Sequence, residues 1–114
     1  MSNTKQEKRI RLKKKIRAKI FGTEERPRLS VFRSNNFIYA QIINDEKGMT
    51  IVSASDIKDN KGTKGERALR VGKDVATKAK EMKVKNVVFD RNGFKYTGRV
   101  KMLADEARAN GLEF

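Results

Sequence analysis

The feature that most constrains this chain is the stretch Lys5 to Lys19, KQEKRIRLKKKIRAK, in which nine Lys or Arg residues stand against one acid, Glu7. An ionised side chain taken out of water without a partner is very costly, so no core can absorb this segment. The fold must be built from the residues that follow. The basic stretch then stays outside, either as a solvated tail or as a surface for a dense anion. Nucleic acid, with one charge per phosphate, is the commonest such anion. Leu12, Ile16 and Ile20 lie four apart and would draw a narrow apolar stripe along a helix over residues 4–21. Cations cover the other faces and repel one another at i, i+4. A helix here is therefore expected to fray when alone and to order along a phosphate backbone.

The chain has 114 residues, enough for one domain, and a net charge of +14. The excess is uneven: residues 1–28 hold eleven cations and three acids, net +8, while residues 29–114 hold seventeen and eleven, net +6. The only proline, Pro27, lies in GTEERPR, Gly22 to Arg28, and marks a boundary. The expected organisation is a basic nucleic-acid-binding arm over 1–27 and a globular domain over 28–114. The absence of cysteine removes disulfides and thiolate metal sites. The absence of histidine removes the commonest metal ligand and the commonest acid–base group near neutrality. No apolar run approaches the roughly 20 residues of a membrane span, and no apolar run follows the charged N-terminus as a secretory signal requires.

Within the domain, RLSVFRSNNFIYAQII, Arg28 to Ile43, alternates apolar and polar residues around Asn35-Asn36. Asn tolerates positive φ, so this dipeptide suits a two-residue hairpin turn. Pairing outward from it sets Ser34 opposite Phe37, Arg33 opposite Ile38, Phe32 opposite Tyr39 and Val31 opposite Ala40. Leu29, Val31, Ile38, Ala40 and Ile42 then share a core face. Ser30, Phe32, Tyr39 and Gln41 share the other, with Arg28 at its edge. Two readings stand for that second face: a surface for base stacking and sugar–phosphate contact, or a cross-strand aromatic pair with no further role. Asn44 to Gly48 is a turn with Gly48 at an expected bulge. Thr50 to Ser55 is a third strand, antiparallel to the second, whose core face depends on that bulge.

Glu66 to Met82 carries Ala68, Val71, Gly72, Val75, Ala76, Ala79 and Met82 at helical spacing, with small residues suited to close packing. Val84 to Asp90 reads as a buried strand. Strand, helix, strand implies a crossover that makes this strand parallel to an earlier one. Arg91 to Arg99, RNGFKYTGR, concentrates two glycines, two aromatics and cations in a loop, a pattern that suits nucleic acid; Phe94 or Tyr96 could instead cap the core. Thr97 is placed to cap a last helix with Val100, Leu103, Ala104 and Ala107 as its apolar face. Asn110-Gly111 ends that helix, and Leu112 and Phe114 fold back on the core. The carboxylates Asp45, Asp56, Asp59, Asp74 and Asp90 form no catalytic motif, and Asp90 followed by Arg91 reads as pairing or capping. No phosphate-binding glycine motif, nucleophile elbow or HExxH is present. The reading is of a binding or structural protein, not an enzyme.

RPRLSVFRSNNFIYAQIIND, TIVSAS, VVFDRNGFKYTGRVKMLADEARANGLEF and the basic arm, in that order, resemble protein eighteen of the bacterial large ribosomal subunit, the 5S rRNA-binding family. FDRNGFKYTGR is the most specific part, and the likeness covers nearly the whole chain. The resemblance implies a three-layer α/β/α sandwich with a mixed sheet of about four strands. It implies a protein that attaches 5S rRNA to 23S rRNA in the central protuberance, beside other 5S-binding proteins, in the cytoplasmic ribosome of a bacterium. No cofactor, metal, membrane or small-molecule substrate is expected. Expected RNA-binding residues are Lys5, Lys8, Arg9, Arg11, Lys13, Lys14, Lys15, Arg17 and Lys19 in the arm. On the hairpin they are Arg28, Ser30, Phe32, Arg33, Ser34, Asn35, Asn36, Tyr39 and Gln41. In the C-terminal loop they are Arg91, Asn92, Phe94, Lys95, Tyr96 and Arg99. The rival from another class is a general single-strand RNA binder or RNA chaperone, which would not prefer folded 5S rRNA.

Overall fold

The computed structural model describes residues 5–17 and 20–114, the side chains of residues 16 and 17 excepted. Its elements are α1 (Lys5–Arg17), β1 (Arg28–Arg33), β2 (Ile38–Asn44), β3 (Met49–Ser55), α2 (Lys64–Glu81), β4 (Val88–Asp90) and α3 (Gly98–Ala109). The four strands form one mixed sheet in the order β3-β2-β1-β4. β1 and β2 pair antiparallel in the register expected from the sequence, Phe32 opposite Tyr39 and Val31 opposite Ala40. The alternation sets that register, since a slip by one residue would turn every apolar side chain to the wrong face.

Leu29, Val31, Ile38, Ala40 and Ile42 are fully buried under a layer of α2 and α3. α2 contributes Ala68, Val71, Val75, Ala76 and Ala79, and α3 contributes Val100, Leu103, Ala104 and Ala107. The two helices run in the same direction, with Gly65 against Met102 and Gly72 against Leu103 and Glu106. A Cβ on Gly72 would collide with the carbonyl oxygen of Leu103, so the glycine permits this approach. β4 pairs parallel to β1, as the crossover argument requires, at the sheet edge opposite β3. α1 meets the other face at one corner, where Arg9 reaches Phe32 and Phe94. The architecture is an α/β sandwich with a mixed four-stranded sheet, α2 and α3 together covering one face.

Several local expectations are corrected. Asn35 and Asn36 do not adopt positive φ. The turn closes with the backbone N–H of Ser34 donating to the Phe37 carbonyl at 2.8 Å and the Phe37 N–H donating to the Ser34 hydroxyl at 3.1 Å. The hydroxyl takes the place of a backbone acceptor, so left-handed turn residues are not needed. Gly48 does take positive φ, but the register shift lies between Ile42 and Ile43. That shift puts Val52 and Ala54 on the core face of β3. The strand expected over Val84 to Asp90 is regular only from Val88, because beside it Asn86 bridges Glu113 of the returning C-terminus. Met82 caps α2 and is 56% exposed rather than buried, since the helix ends before it can turn inward. Thr97 holds the cap position of α3 with extended backbone, yet its hydroxyl makes no capping bond. Leu112 is buried and Phe114 stacks on Phe89, as expected.

Candidate nucleic-acid interface

Strand alternation sends Ser30, Phe32, Tyr39 and Gln41 to the face away from α2 and α3, where they line a shallow recess of about 360 Å³. Phe32 is 43% exposed there. It meets Tyr39 at 6.0 Å between ring centroids, so the cross-strand pair is real. It also meets Phe94 edge-on at 5.4 Å, which joins the hairpin face to the C-terminal loop.

The loop reaches this position through Asp90 and Asn92. Asp90, fully buried, accepts from the backbone N–H of Asn92 at 2.9 Å. The Asn92 amide then donates to the Ser30 hydroxyl at 2.7 Å and to the Val31 carbonyl at 2.8 Å. β4 stops beside Ser30, so this side chain satisfies a β1 carbonyl that no strand reaches. Asn92 and Gly93 both adopt positive φ, and a Cβ on Gly93 would run into the Arg9 carbonyl. The loop thus turns sharply and lets the backbone of α1 come close.

Arg9 uses that approach. Its guanidinium lies 4.7 Å from the Phe94 ring centroid and 6.0 Å from that of Phe32, and it donates to the Asn92 carbonyl at 3.3 Å. Arg33 covers Phe94 as well, at 5.3 Å. Cations over aromatic faces gain from the ring quadrupole. Lys5, Lys8, Arg11, Lys13, Lys14 and Lys15 are exposed along α1. Lys19 and the side chain of Arg17 lie outside the described residues. The structure therefore brings the arm, the hairpin face and the loop to one place.

Other expected residues are held differently. Arg28 is 9% exposed and bound between two carboxylates, with Nη1 at 2.8 Å from Asp90 and Nε at 2.9 Å from Asp45. Burial pulls its pKa down, but the hydrogen bonds and charges of Asp45 and then Asp90 outweigh this and leave it raised. Its charge is answered inside the protein. The Arg91 guanidinium donates to the Phe94 carbonyl at 2.8 Å and shapes the loop. Tyr96 packs on Phe89, and its hydroxyl accepts from Arg108, so the core-capping alternative holds for Tyr96. Asn35, Asn36 and Lys95 are exposed. Arg99 donates to the Ser34 carbonyl at 2.9 Å.

Sequence reasoning missed Asp45, Asp56 and Arg67 as determinants of the site. Asp56 is 3% exposed, accepts from the Ile38 N–H at 2.9 Å and faces Arg67 at 3.6 Å. The signal was present: Arg67 falls on the same helical stripe as Val71 and Val75. A cation on a buried stripe calls for a buried acid.

Fold and site together define a basic α/β protein that gathers cations and aromatic rings on one face. The family model described as Ribosomal L18 of archaea, bacteria, mitochondria and chloroplast matches residues 3–114. Relatives of the chain include the large ribosomal subunit protein uL18 of Porphyromonas gingivalis, 52% identical over 97% of this chain and 98% of the relative. That of Lactobacillus johnsonii is 55% identical over 93% and 92%, and that of Solibacter usitatus 56% over 96% and 95%. The chain belongs to the ribosomal L18 family, and its role is that of a structural ribosomal protein, not an enzyme.

Proposed function

We propose that the chain binds 5S rRNA and helps attach it to 23S rRNA in the central protuberance of the large ribosomal subunit of a bacterium, in the cytoplasm, beside other 5S-binding proteins. The observation that carries this reading is the placement of Arg9 over Phe32 and Phe94, which sets the cationic helix against the open sheet face. Residues 1–27 act as the arm, with Gly22 to Pro27 as its attachment, and residues 28–114 act as the domain. The Gly22 N–H donates to Asp45 at 2.7 Å, and the Asp45 N–H donates back to the Gly22 carbonyl at 2.9 Å. The arm's cations neutralise phosphate where two RNAs must approach, and such contacts position without reading sequence. Ser30, Phe32, Tyr39 and Gln41, with Asn35 and Asn36 at the turn, supply stacking and hydrogen bonds to sugar or base. Phe94 and Lys95 extend that surface. Arg28, Asn92, Arg91 and Tyr96 act from beneath by holding the loop and the sheet edge in place.

The test is a gel-shift titration against 5S rRNA and a scrambled RNA of equal length at about 0.2 M salt, where nonspecific phosphate binding is weakened. A preference of about a hundredfold, near 2.7 kcal/mol, is expected. Equal affinity would favour a general RNA binder and overturn the 5S assignment.

A further inference from the structure

At the hairpin end of the sheet three arginines from three elements come near one another, Arg67 and Arg99 from the helix side and Arg33 from the edge, where it also covers Phe94. Arg33 ends β1, Arg67 lies in α2 near its start, and Arg99 lies in the first turn of α3. Arg99 holds the Ser34 carbonyl, and Arg67 approaches Asp56, which in turn holds the Ile38 N–H. Both ends of the turn are therefore tied to this cluster. Among the described residues the charges here do not balance: Asp56 pairs with Arg67 and is the acid whose charge acts on Arg99, against the cations Arg33 and Arg67. Its contact with Arg67 is a loose 3.6 Å. Arg67 is 8% exposed and its Nε has no acceptor; Arg99 Nη1 is likewise buried without one. A guanidinium N–H withdrawn from water and left unpaired is costly, and an incoming acceptor recovers that cost. Burial, then the charge of Arg33, against Asp56 and together with Arg67, lowers the pKa of Arg99, as expected of a cation among cations. The first turn of α3 adds its backbone dipole, and Thr97 does not cap it with its hydroxyl.

We propose that Arg33, Arg67 and Arg99, with the first turn of α3, form an anion site under the hairpin turn, and that its ligand is a backbone phosphate of bound RNA. The proposal rests on the RNA-binding reading of the hairpin. It adds a contact beyond Phe94, whose ring Arg33 shares with Arg9 of the arm, so that a strand passes from the arm around the turn at Asn35 and Asn36. A guanidinium fork suits a phosphate, and a lysine would serve as a point charge.

The experiment is a salt titration of 5S rRNA binding, and of scrambled RNA binding, with the full chain and the variants Arg67→Gln, Arg67→Lys and Asp56→Asn. Thermal melts set the folded fraction of each. Arg67→Gln is expected to weaken binding about fivefold and to lower the salt slope by roughly 0.7–0.9, one phosphate contact. Arg67→Lys should restore the slope. Asp56→Asn retains an acceptor for the Ile38 N–H and removes a negative charge, so it should bind about threefold more tightly. An unchanged slope in Arg67→Gln would overturn the proposal. So would Asp56→Asn binding more weakly than wild type, since the pair would then only brace the hairpin. Should wild type bind both RNAs alike, the 5S assignment falls, while the slope differences among the variants still decide the site.

Discussion

At the scale of single residues, the chain separates cations that answer internal charge from cations left to solvent. Arg28 sits between Asp45 and Asp90, with Asp90 fully buried. Removing one member of a buried pair leaves the other uncompensated, so Asp90→Asn should destabilise the fold by about 3–5 kcal/mol. Urea unfolding would show this as a large drop in midpoint, and a loss under about 1 kcal/mol would mean that Asp45 alone satisfies Arg28. Phe32 and Tyr39 behave differently. With Phe32 exposed and Tyr39 half-buried on the open face, they should each cost about 1–3 kcal/mol of RNA affinity when changed to Ala, if bases stack there. Titration of the folded variants measures it. Unaltered affinity with lowered stability would leave only the cross-strand pair. The sequence made the exposure of Phe32 legible, because alternation assigns faces. It did not separate Arg28 from its exposed neighbours, because the partners Asp45 and Asp90 are distant in the chain and meet only in the fold.

At the scale of elements, the parts legible in advance were those ruled by local periodicity. The hairpin register and the buried face of α2 follow from spacing alone. The position of the hairpin turn follows from Asn35-Asn36, but its conformation does not, because the Ser34 hydroxyl replaces a backbone acceptor, an option open at any Ser and invisible in a φ preference. β4 was overlong because its early residues are drawn toward the returning C-terminus, a contact between Asn86 and Glu113 that no window of sequence contains. The α2 and α3 contact turns on Gly72. Alanine there improves helix propensity by about 1 kcal/mol, yet its Cβ meets the backbone of Leu103 and the side chain of Glu106. Backbone cannot rotate aside, so Gly72→Ala should be destabilising on balance by about 1–3 kcal/mol. A raised unfolding midpoint would show that the helices separate at little cost.

At the scale of the whole molecule, a basic domain carries a cationic helix set against an aromatic corner, Phe32 and Phe94, of the sheet face that α2 and α3 leave open. Deleting residues 1–19 removes nine cations and should flatten the salt dependence of RNA binding by several units, at roughly 0.7–0.9 per lost phosphate contact. The domain should keep its unfolding midpoint, because its core lies on the other side of the sheet. An unchanged slope would remove the arm from the interface. The central claim is that RNA meets the open face together with the arm, and an amide NMR map of the full chain titrated with 5S rRNA tests it most directly. Perturbations are expected along α1, from Ser30 to Gln41 and from Arg91 to Arg99, with Val71 to Glu81 and Ala104 to Ala109 little changed. Perturbations centred on those two helical segments, with Ser30, Phe32, Tyr39 and Gln41 unmoved, would contradict the account.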